Sequence, residues 1–310
     1  MEALFIGQAY IDVTFITDRL PTGDEKTIAD DYAVSFGGNA VTAAFCCAKL
    51  GLAPDLMCSQ ADDWLARMFL DMAAKYGISV HGRKVKESSL SFIMPHEGKR
   101  AIVRCRDDHF LHPYPNLNLE GCRGLHVDGH LPDAALHYAK ACREKHILTS
   151  LDGGNVRDNT EELLEYIDVA VVSEDFVRSL KLSETETLEY LRAKGCRVGA
   201  ITMGDKGVLW YDSFGDNRFM PALNVPKELV RDTNGAGDIF HGAYMYSYLT
   251  RPGAVWERHF EFARAASTSS IQRLGNETSL PTLADIDRVM ATFSAKDDFT
   301  PPMERRVAKA

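Results

Sequence analysis

The chain has 310 residues, 45% hydrophobic and 25% charged, enough to bury a sizeable core in one large α/β domain with an appendage or in two ordinary domains. Its formal net charge of -9 argues against a general nucleic-acid or anionic-membrane surface, although a local pocket on an acidic protein can still be basic. Seven cysteines without CxxC spacing, and an N-terminus with neither a basic stretch nor a long apolar run, predict reduced thiols, a cytoplasmic location and no membrane span.

The apolar run at 3–7 predicts a first, buried strand. Residues 12–36 carry turn chemistry and alternating apolar residues. A helix is predicted over 39–50, rich in small residues and stopped by Gly51. A second, over 62–76, places Leu65, Met68, Phe69, Met72 and Tyr76 on one face and ends at Gly77. Residues 90–94 and 101–105 flank a turn at 96–99 and predict a hairpin. Further strands are predicted at 124–127, 147–151, 169–172 and 198–202, with helices between them. Strands separated by helices imply a mostly parallel sheet covered on both faces. The expected division is an α/β domain from 1–11, 37–88 and 107–298, with a small β-sheet from 12–36 and 89–106 standing off it. Residues 299–310, with Pro301 and Pro302, predict a mobile tail.

The most informative segment is Asp232-Thr-Asn-Gly-Ala-Gly-Asp238, followed by an apolar, small-residue run that predicts a buried helix. Gly235, Ala236 and Gly237 leave the backbone uncovered where a helix begins. Amides there carry partial positive charge and form an anion site. Asp238, just inside the helix, is placed to accept a proton from an attacking hydroxyl. A glycine turn with an acidic first helical turn is the structural alternative. Phe36-Gly-Gly-Asn39 enters the helix 39–50, so Asn39 either caps it or meets a ligand that the glycines let approach. Asp12 follows the first strand, at the edge where parallel sheets collect ligands; the alternative is a solvated strand-end acid.

Two more segments follow strands. Thr202-Met-Gly-Asp-Lys-Gly207 is either a nucleotide-phosphate turn or a hairpin turn. Asp152-Gly-Gly-Asn-Val-Arg157 either meets a hydrated magnesium ion or makes a turn with an N-cap. His130 is either a substrate contact or a surface-loop residue. No GxxxxGK[ST] loop is present, nor GxGxxG after the first strand, nor HExxH or GxSxG. The histidines show no metal-ligand spacing in sequence.

These motifs, in this order over nearly the whole chain, resemble the ribokinase-like (PfkB) family of carbohydrate and nucleoside kinases. The resemblance implies a three-layer α/β/α fold with a β-sheet lid that often makes a homodimer contact. It implies ATP and Mg2+ as cofactors, and a K+ site in some members. Asp238 would be the base, and Gly235, Ala236 and Gly237 the anion hole. Asp12, Gly38 and Asn39 would hold sugar hydroxyls, and Thr202, Gly204 and Gly207 would line the nucleotide site. Asp232 would bind the monovalent cation. Many members carry an NxxE motif for magnesium; this chain reads Ser173-Glu-Asp-Phe176 there, so Glu174 is the substitute in the magnesium shell. The segment Leu20-Pro-Thr-Gly-Asp-Glu-Lys26 is similar to sulfofructose kinases, which implies an anion contact for Lys26. Arg104 and Arg106 share one strand face; they either line the cleft or guard a sheet edge.

The lead expectation is phosphorylation of a sugar or sugar acid. A nucleoside kinase, with Phe15, Phe36 or Phe92 stacking on the base, and a sugar-binding sensor without activity are the alternatives. No nucleic-acid or membrane partner is expected.

Overall fold

The computed structural model describes residues 1–17, 19, 21–96 and 99–296. The predicted tail at 299–310 and the centre of the predicted turn at 96–99 lie outside them. In chain order the elements are β1 (Ala3–Gly7), β2 (Tyr10–Ile16), β3 (Asp31–Gly37), α1 (Asn39–Leu50), β4 (Pro54–Gln60), α2 (Trp64–Lys75) and β5 (Ser79–Lys84). Then come β6 (Leu90–His96), β7 (Lys99–Cys105), β8 (Gly124–Val127), α3 (Pro132–Glu144), β9 (Leu148–Gly153), α4 (Thr160–Leu164) and β10 (Val169–Ser173). The chain continues through α5 (Glu174–Leu180), α6 (Glu184–Ala193), β11 (Val198–Thr202), β12 (Gly207–Tyr211) and β13 (Arg218–Pro221). It closes with α7 (Ala236–Thr250), α8 (Trp256–Ser270), α9 (Asn276–Ser279) and α10 (Leu283–Thr292).

Nine strands form one sheet in the order β13-β12-β11-β10-β9-β8-β1-β4-β5. From β11 to β5 every pairing is parallel, while β12 and β13 add antiparallel. Strand residues alternate between two cores. Ala3 and Phe5 of β1 enter one, with α1, α7 and α8; Leu4 and Ile6 enter the other, with α3, α5 and α6. Both alternating sets are apolar because both faces are covered, which is why these strands show no polar alternation.

The helices stop and start where local chemistry says. Asp63 accepts from the Ala66 amide at 2.8 Å and caps α2, which trims the predicted start at 62. Gly51 ends α1 in the left-handed conformation. A Cβ on Gly242 of α7 would stand 2.4 Å from the Ala43 carbonyl of α1, so this glycine sets how closely the two helices cross. All seven cysteines are free, and six are buried. Among the described residues no helix is long and apolar enough to cross a membrane.

A second sheet has the order β3-β2-β6-β7 and its hairpin strands are longer than predicted. Its register makes two rows across the four strands. Ser35, Asp12, Ser91 and Arg104 are cross-strand partners. The next row, Val34, Val13, Phe92 and Val103, faces the opposite way. Ser35, Asp12 and Ser91 of the polar row are buried while Arg104 is exposed, and of the apolar row Phe92 is 42% and Val103 64% exposed.

Candidate active site

Seven parallel strands deliver their C-terminal ends to one edge, and the second sheet stands over it. The Asp232–Asp238 segment lies at this edge as the loop entering α7. Gly235 has φ 71°, a left-handed conformation that suits glycine, and a Cβ there would lie 2.4 Å from Asn276 Oδ1. Gly237 has nothing within 4 Å of where its Cβ would be, so no neighbour crowds the start of α7 at that point. Asp238 occupies the first turn of α7 and is half-buried.

Asp232 holds this loop in shape. Its carboxylate accepts from the Asn234 amide at 2.8 Å and from the Gly275 amide at 3.0 Å. Asn234 then reaches Asp12 Oδ2 at 3.4 Å, and Asn276 donates to the same oxygen at 3.1 Å. Asn276 also donates to the Phe36 carbonyl at 2.9 Å and accepts from Asn234 at 3.3 Å. A carboxylate from the second sheet and the anion loop of the body are thus joined through two amide side chains. Asp12 is buried, and burial raises its pKa; Ser91, Arg104, Asn234 and Asn276 oppose that shift. Its Oδ1 accepts no well-aligned hydrogen bond, which leaves lone pairs for a ligand hydroxyl. Gly37 makes this possible, since a Cβ there would come within 2.3 Å of the Asp12 carboxylate.

Gly38 has φ 104° and its Cβ would stand 2.0 Å from the Gln8 carbonyl. It occupies the N-cap position of α1, so Asn39 is the first helical residue and not the cap. The helix start is served instead by Asp128, whose Oδ2 accepts from the Ala40 amide at 3.3 Å. Asn39 is free to point across the edge, where its Nδ2 donates to Asp152 Oδ2 at 3.1 Å. Asp152 is buried, and that burial pushes its pKa up to about 7, with Asn39 opposing and Asp128 adding to the rise. Behind it lies His241 of α7, 3.5 Å from Asp152 Oδ2, then Tyr244, Ser150 and His126 in a hydrogen-bonded chain. Histidine spacing in the sequence predicts no metal cluster, but folding brings His126, Asp152 and His241 together with ligand-type atoms within 4.8 Å. Burial lowers the pKa of both imidazoles, His241 to about 3.

Thr202, Gly204 and Gly207 lie at the same edge, further along the sheet. The segment is a hairpin turn, because β11 and β12 pair antiparallel and the Met203 amide donates to the Gly207 carbonyl at 2.8 Å. Gly204 has φ 56°, and a Cβ on Gly207 would strike the Met220 carbonyl of β13 at 2.2 Å. The Thr202 hydroxyl donates to the Val172 carbonyl at 3.3 Å. Glu174 opens α5 after β10, and its carboxylate takes Lys206 of the turn at 2.6 Å. Ser173, not an asparagine, caps α5 and donates to the Gly154 carbonyl at 2.7 Å. Lys26 is exposed on the connection between β2 and β3. Arg104 lies in the polar row, its guanidinium 5.2 Å from the centre of the Tyr10 ring.

Residues 2–283 match the family described as pfkB family carbohydrate kinase. The chain belongs to that family. Its members are phosphotransferases, and the two-sheet α/β architecture is that of ribokinase. The chain is 24% identical to ribokinase of Lactococcus lactis over 305 residues, covering 91% of this chain and 94% of that one. It is 26% identical to the ATP-dependent ribose-1-phosphate kinase of Halopiger xanaduensis over 311 residues, 96% of this chain and all of that one (100%). The structure of Arabidopsis thaliana ribokinase complexed with ribose and ATP superposes with a TM-score of 0.78 at 21% identity, over 94% of this chain and 99% of that one.

The fold links Asp12 to the Asp232–Asp238 loop through Asn234 and Asn276, and Asn39, after Gly38, to Asp152 at the end of β9. Thr202, Gly204, Gly207 and Glu174 sit at the adjoining stretch of the edge. Sequence reasoning did not single out Asn276 and Asp128. Both are solitary polar residues in unremarkable local sequence, and their roles are contacts with residues far away in the chain. The closest signal is Gly275, whose φ of 76° turns the chain so that Asn276 faces Asp12.

Proposed function

We propose that the protein transfers the γ-phosphate of ATP to a hydroxyl of a sugar or sugar acid. The observation that carries this reading is the double amide link from Asp12 to Asn234 and Asn276, which sets an acceptor-binding carboxylate beside an anion loop. Asp12 and Asn39 hold acceptor hydroxyls. Asp238 takes the proton as the acceptor oxygen bonds to phosphorus and the bond to the ADP oxygen breaks. The amides of Gly235, Ala236 and Gly237 stabilise charge on the transferring group. Thr202, Gly204 and Gly207 form the nucleotide side.

Magnesium, when bound with ATP, supplies charge neutralisation for the phosphates. Glu174 offers the oxygen donors that a hard cation takes, and Lys206 beside it presents an ammonium to the same region. The buried Asp232 carboxylate keeps lone pairs beyond its two amide donors and is the proposed ligand for a monovalent cation such as K+.

A sugar acceptor is favoured over a nucleoside by the position of the phenylalanines. Phe36 is fully buried against Phe45, with ring centroids 3.6 Å apart. Phe15 and Phe92 stack on each other on the apolar face of the second sheet, opposite Asp12. That apolar face is also the proposed contact with a second copy of the chain. Seven free cysteines suit a reducing, cytoplasmic compartment.

The test is Asp238→Asn. ATP-induced thermal stabilisation is expected to persist while turnover, read as ADP release with a sugar panel, falls about 10²- to 10⁴-fold. Near-normal turnover would remove Asp238 as the base.

A further inference from the structure

One group of buried, chemistry-bearing side chains takes no part in phosphoryl transfer. His126 of β8 pairs in register with Ser150 of β9, and Asp152 lies two residues further along β9, so strand alternation sets Ser150 and Asp152 on one face. His241 and Tyr244 are three residues apart in α7 and share a face of that helix. Folding brings these faces together. The His126 and His241 rings lie 5.2 Å apart, centre to centre, and His241 Nε2 lies 3.5 Å from Asp152 Oδ2. One ligand-type atom from each of His126, Asp152 and His241 lies within 4.8 Å of the other two, and all three residues are buried.

Two features set this group apart from a simple buried hydrogen-bond network. The first is that His126 Nε2 is buried without a hydrogen-bond partner, while its Nδ1 lies 2.9 Å from the Ser150 hydroxyl. A buried imidazole nitrogen without a partner is costly, and that cost is relieved when its lone pair goes to an ion. The second is the outer layer. His241 Nδ1 lies 3.1 Å from the Tyr244 hydroxyl, and the Tyr244 and Ser150 hydroxyls bond each other at 2.5 Å. With each Nδ1–H donating to its hydroxyl, both Nε2 atoms are left as ligands and both rings are held in place, as the outer partners of metal-bound histidines do. Burial lowers the pKa of both imidazoles, so each is neutral, the form that binds a metal.

Two imidazoles and a carboxylate are the donor set of a borderline divalent ion. Zn2+ makes bonds of about 2.0–2.2 Å and so holds tetrahedral ligands about 3.4 Å apart. The His241–Asp152 separation already matches, and a shift on the order of 1 Å brings His126 into the same shell. The hard Mg2+ ion takes oxygen donors in an octahedron and does not fit this set. We propose that His126, Asp152 and His241 form a site for one divalent transition-metal ion, with Zn2+ the best match, separate from the magnesium that accompanies ATP. Asp152 Oδ2 also accepts from Asn39 at 3.1 Å, so the ion and Asn39 share one carboxylate.

The full-length protein, stripped of metal with a chelator and kept free of nucleotide, is titrated with Zn2+ by calorimetry and with Co2+ by visible absorption. One tight equivalent per chain, with a Kd of about 1 μM or below, and Co2+ bands of four-coordinate intensity are expected. Mg2+ in about thousandfold excess is expected not to compete. His126→Phe, Asp152→Asn and His241→Phe are each expected to weaken Zn2+ binding more than about a hundredfold, and Tyr244→Phe about tenfold to a hundredfold through the lost outer partner. A single cooperative urea transition shows that each variant is folded. X-ray absorption of the Zn2+-loaded wild type needs no variant, and it is expected to show two imidazoles and oxygen in the shell. No tight equivalent in the wild type, undiminished affinity in any of the three ligand variants, or sulfur in the shell from one of the seven free cysteines would overturn the site. Turnover enters none of these readouts, so their failure leaves the kinase reading standing, and failure of the Asp238→Asn test leaves the metal site standing.

Discussion

The two sheets of this kinase treat side-chain alternation in opposite ways. In the nine-stranded sheet both alternating sets are apolar, as in β10, where Val169 and Val171 enter one core and Ala170 and Val172 the other. In the four-stranded sheet one set is polar and carries Asp12, Ser35, Ser91 and Arg104, while the other exposes Val34, Phe92 and Val103. The first arrangement maximises burial and fixes the strand ends. The second leaves apolar side chains of one face exposed while the polar Asp12, Ser35 and Ser91 of the other are buried. The two sheets thus differ in how they are packed: one is covered on both faces and the other on one.

The largest expected effect belongs to the body. Trp210 of β12 is 1% exposed and packs edge-on against Phe260 at 5.4 Å. Trp210→Ala is expected to cost about 3–5 kcal/mol in urea unfolding with an unchanged slope. A loss under about 1 kcal/mol would mean that the body is not the stability-determining sheet.

A smaller effect sits at the end of β9, in the body. Asp152 has its pKa raised from 3.8 to about 7, so the folded state binds that proton more tightly than the unfolded chain. Its contribution to stability is present at low pH and is lost as pH rises through that window, opposite in sign to the neighbouring His241, whose lowered pKa favours the folded state as pH rises. Asp152→Asn is therefore expected to gain stability relative to the wild type between pH 4 and pH 7, on the order of 1 kcal/mol or more. Urea midpoints for both proteins across that range measure it. A relative loss would show that Asp152 is ionised in the folded state and paired with a charged His241.

The smallest effect on stability is expected in the outer row of the second sheet. Phe92→Glu should move the unfolding free energy by less than about 0.5 kcal/mol while weakening self-association at least tenfold in sedimentation. Unaltered association would exclude this face as the contact between copies.

Much of the scaffold was legible from local patterns. The helix 39–50, the strands at 124–127 and 198–202 and the buried helix after Asp238 all appear where periodicity and end signals place them. The segment 202–207 makes a hairpin turn because Val208 to Tyr211 returns antiparallel to β11, a geometry compatible with the proposed nucleotide role. For Asn39 the sequence offers either a helix cap or a ligand contact. Gly38, at φ 104°, takes the cap position that Asn39 would otherwise fill, and this depends on the Gln8 carbonyl pressing where a side chain would be.

The Asp232–Asp238 loop is a local object, since glycines, a helix start and an acid in its first turn are properties of consecutive residues. The amino-acid sequence alone determined that loop, the alternation of strands and helices, and the family to which they belong. Tertiary structure decided what the loop faces. Asp12 meets Asn234 across 222 residues and Asn276 across 264, Asn39 meets Asp152 across 113, and Arg157 meets His130 across 27. No pattern of neighbouring residues encodes those pairings. They exist because parallel strands deliver distant segments to one edge, and a second sheet, amphipathic by its own alternation, brings Asp12 of its polar row to them.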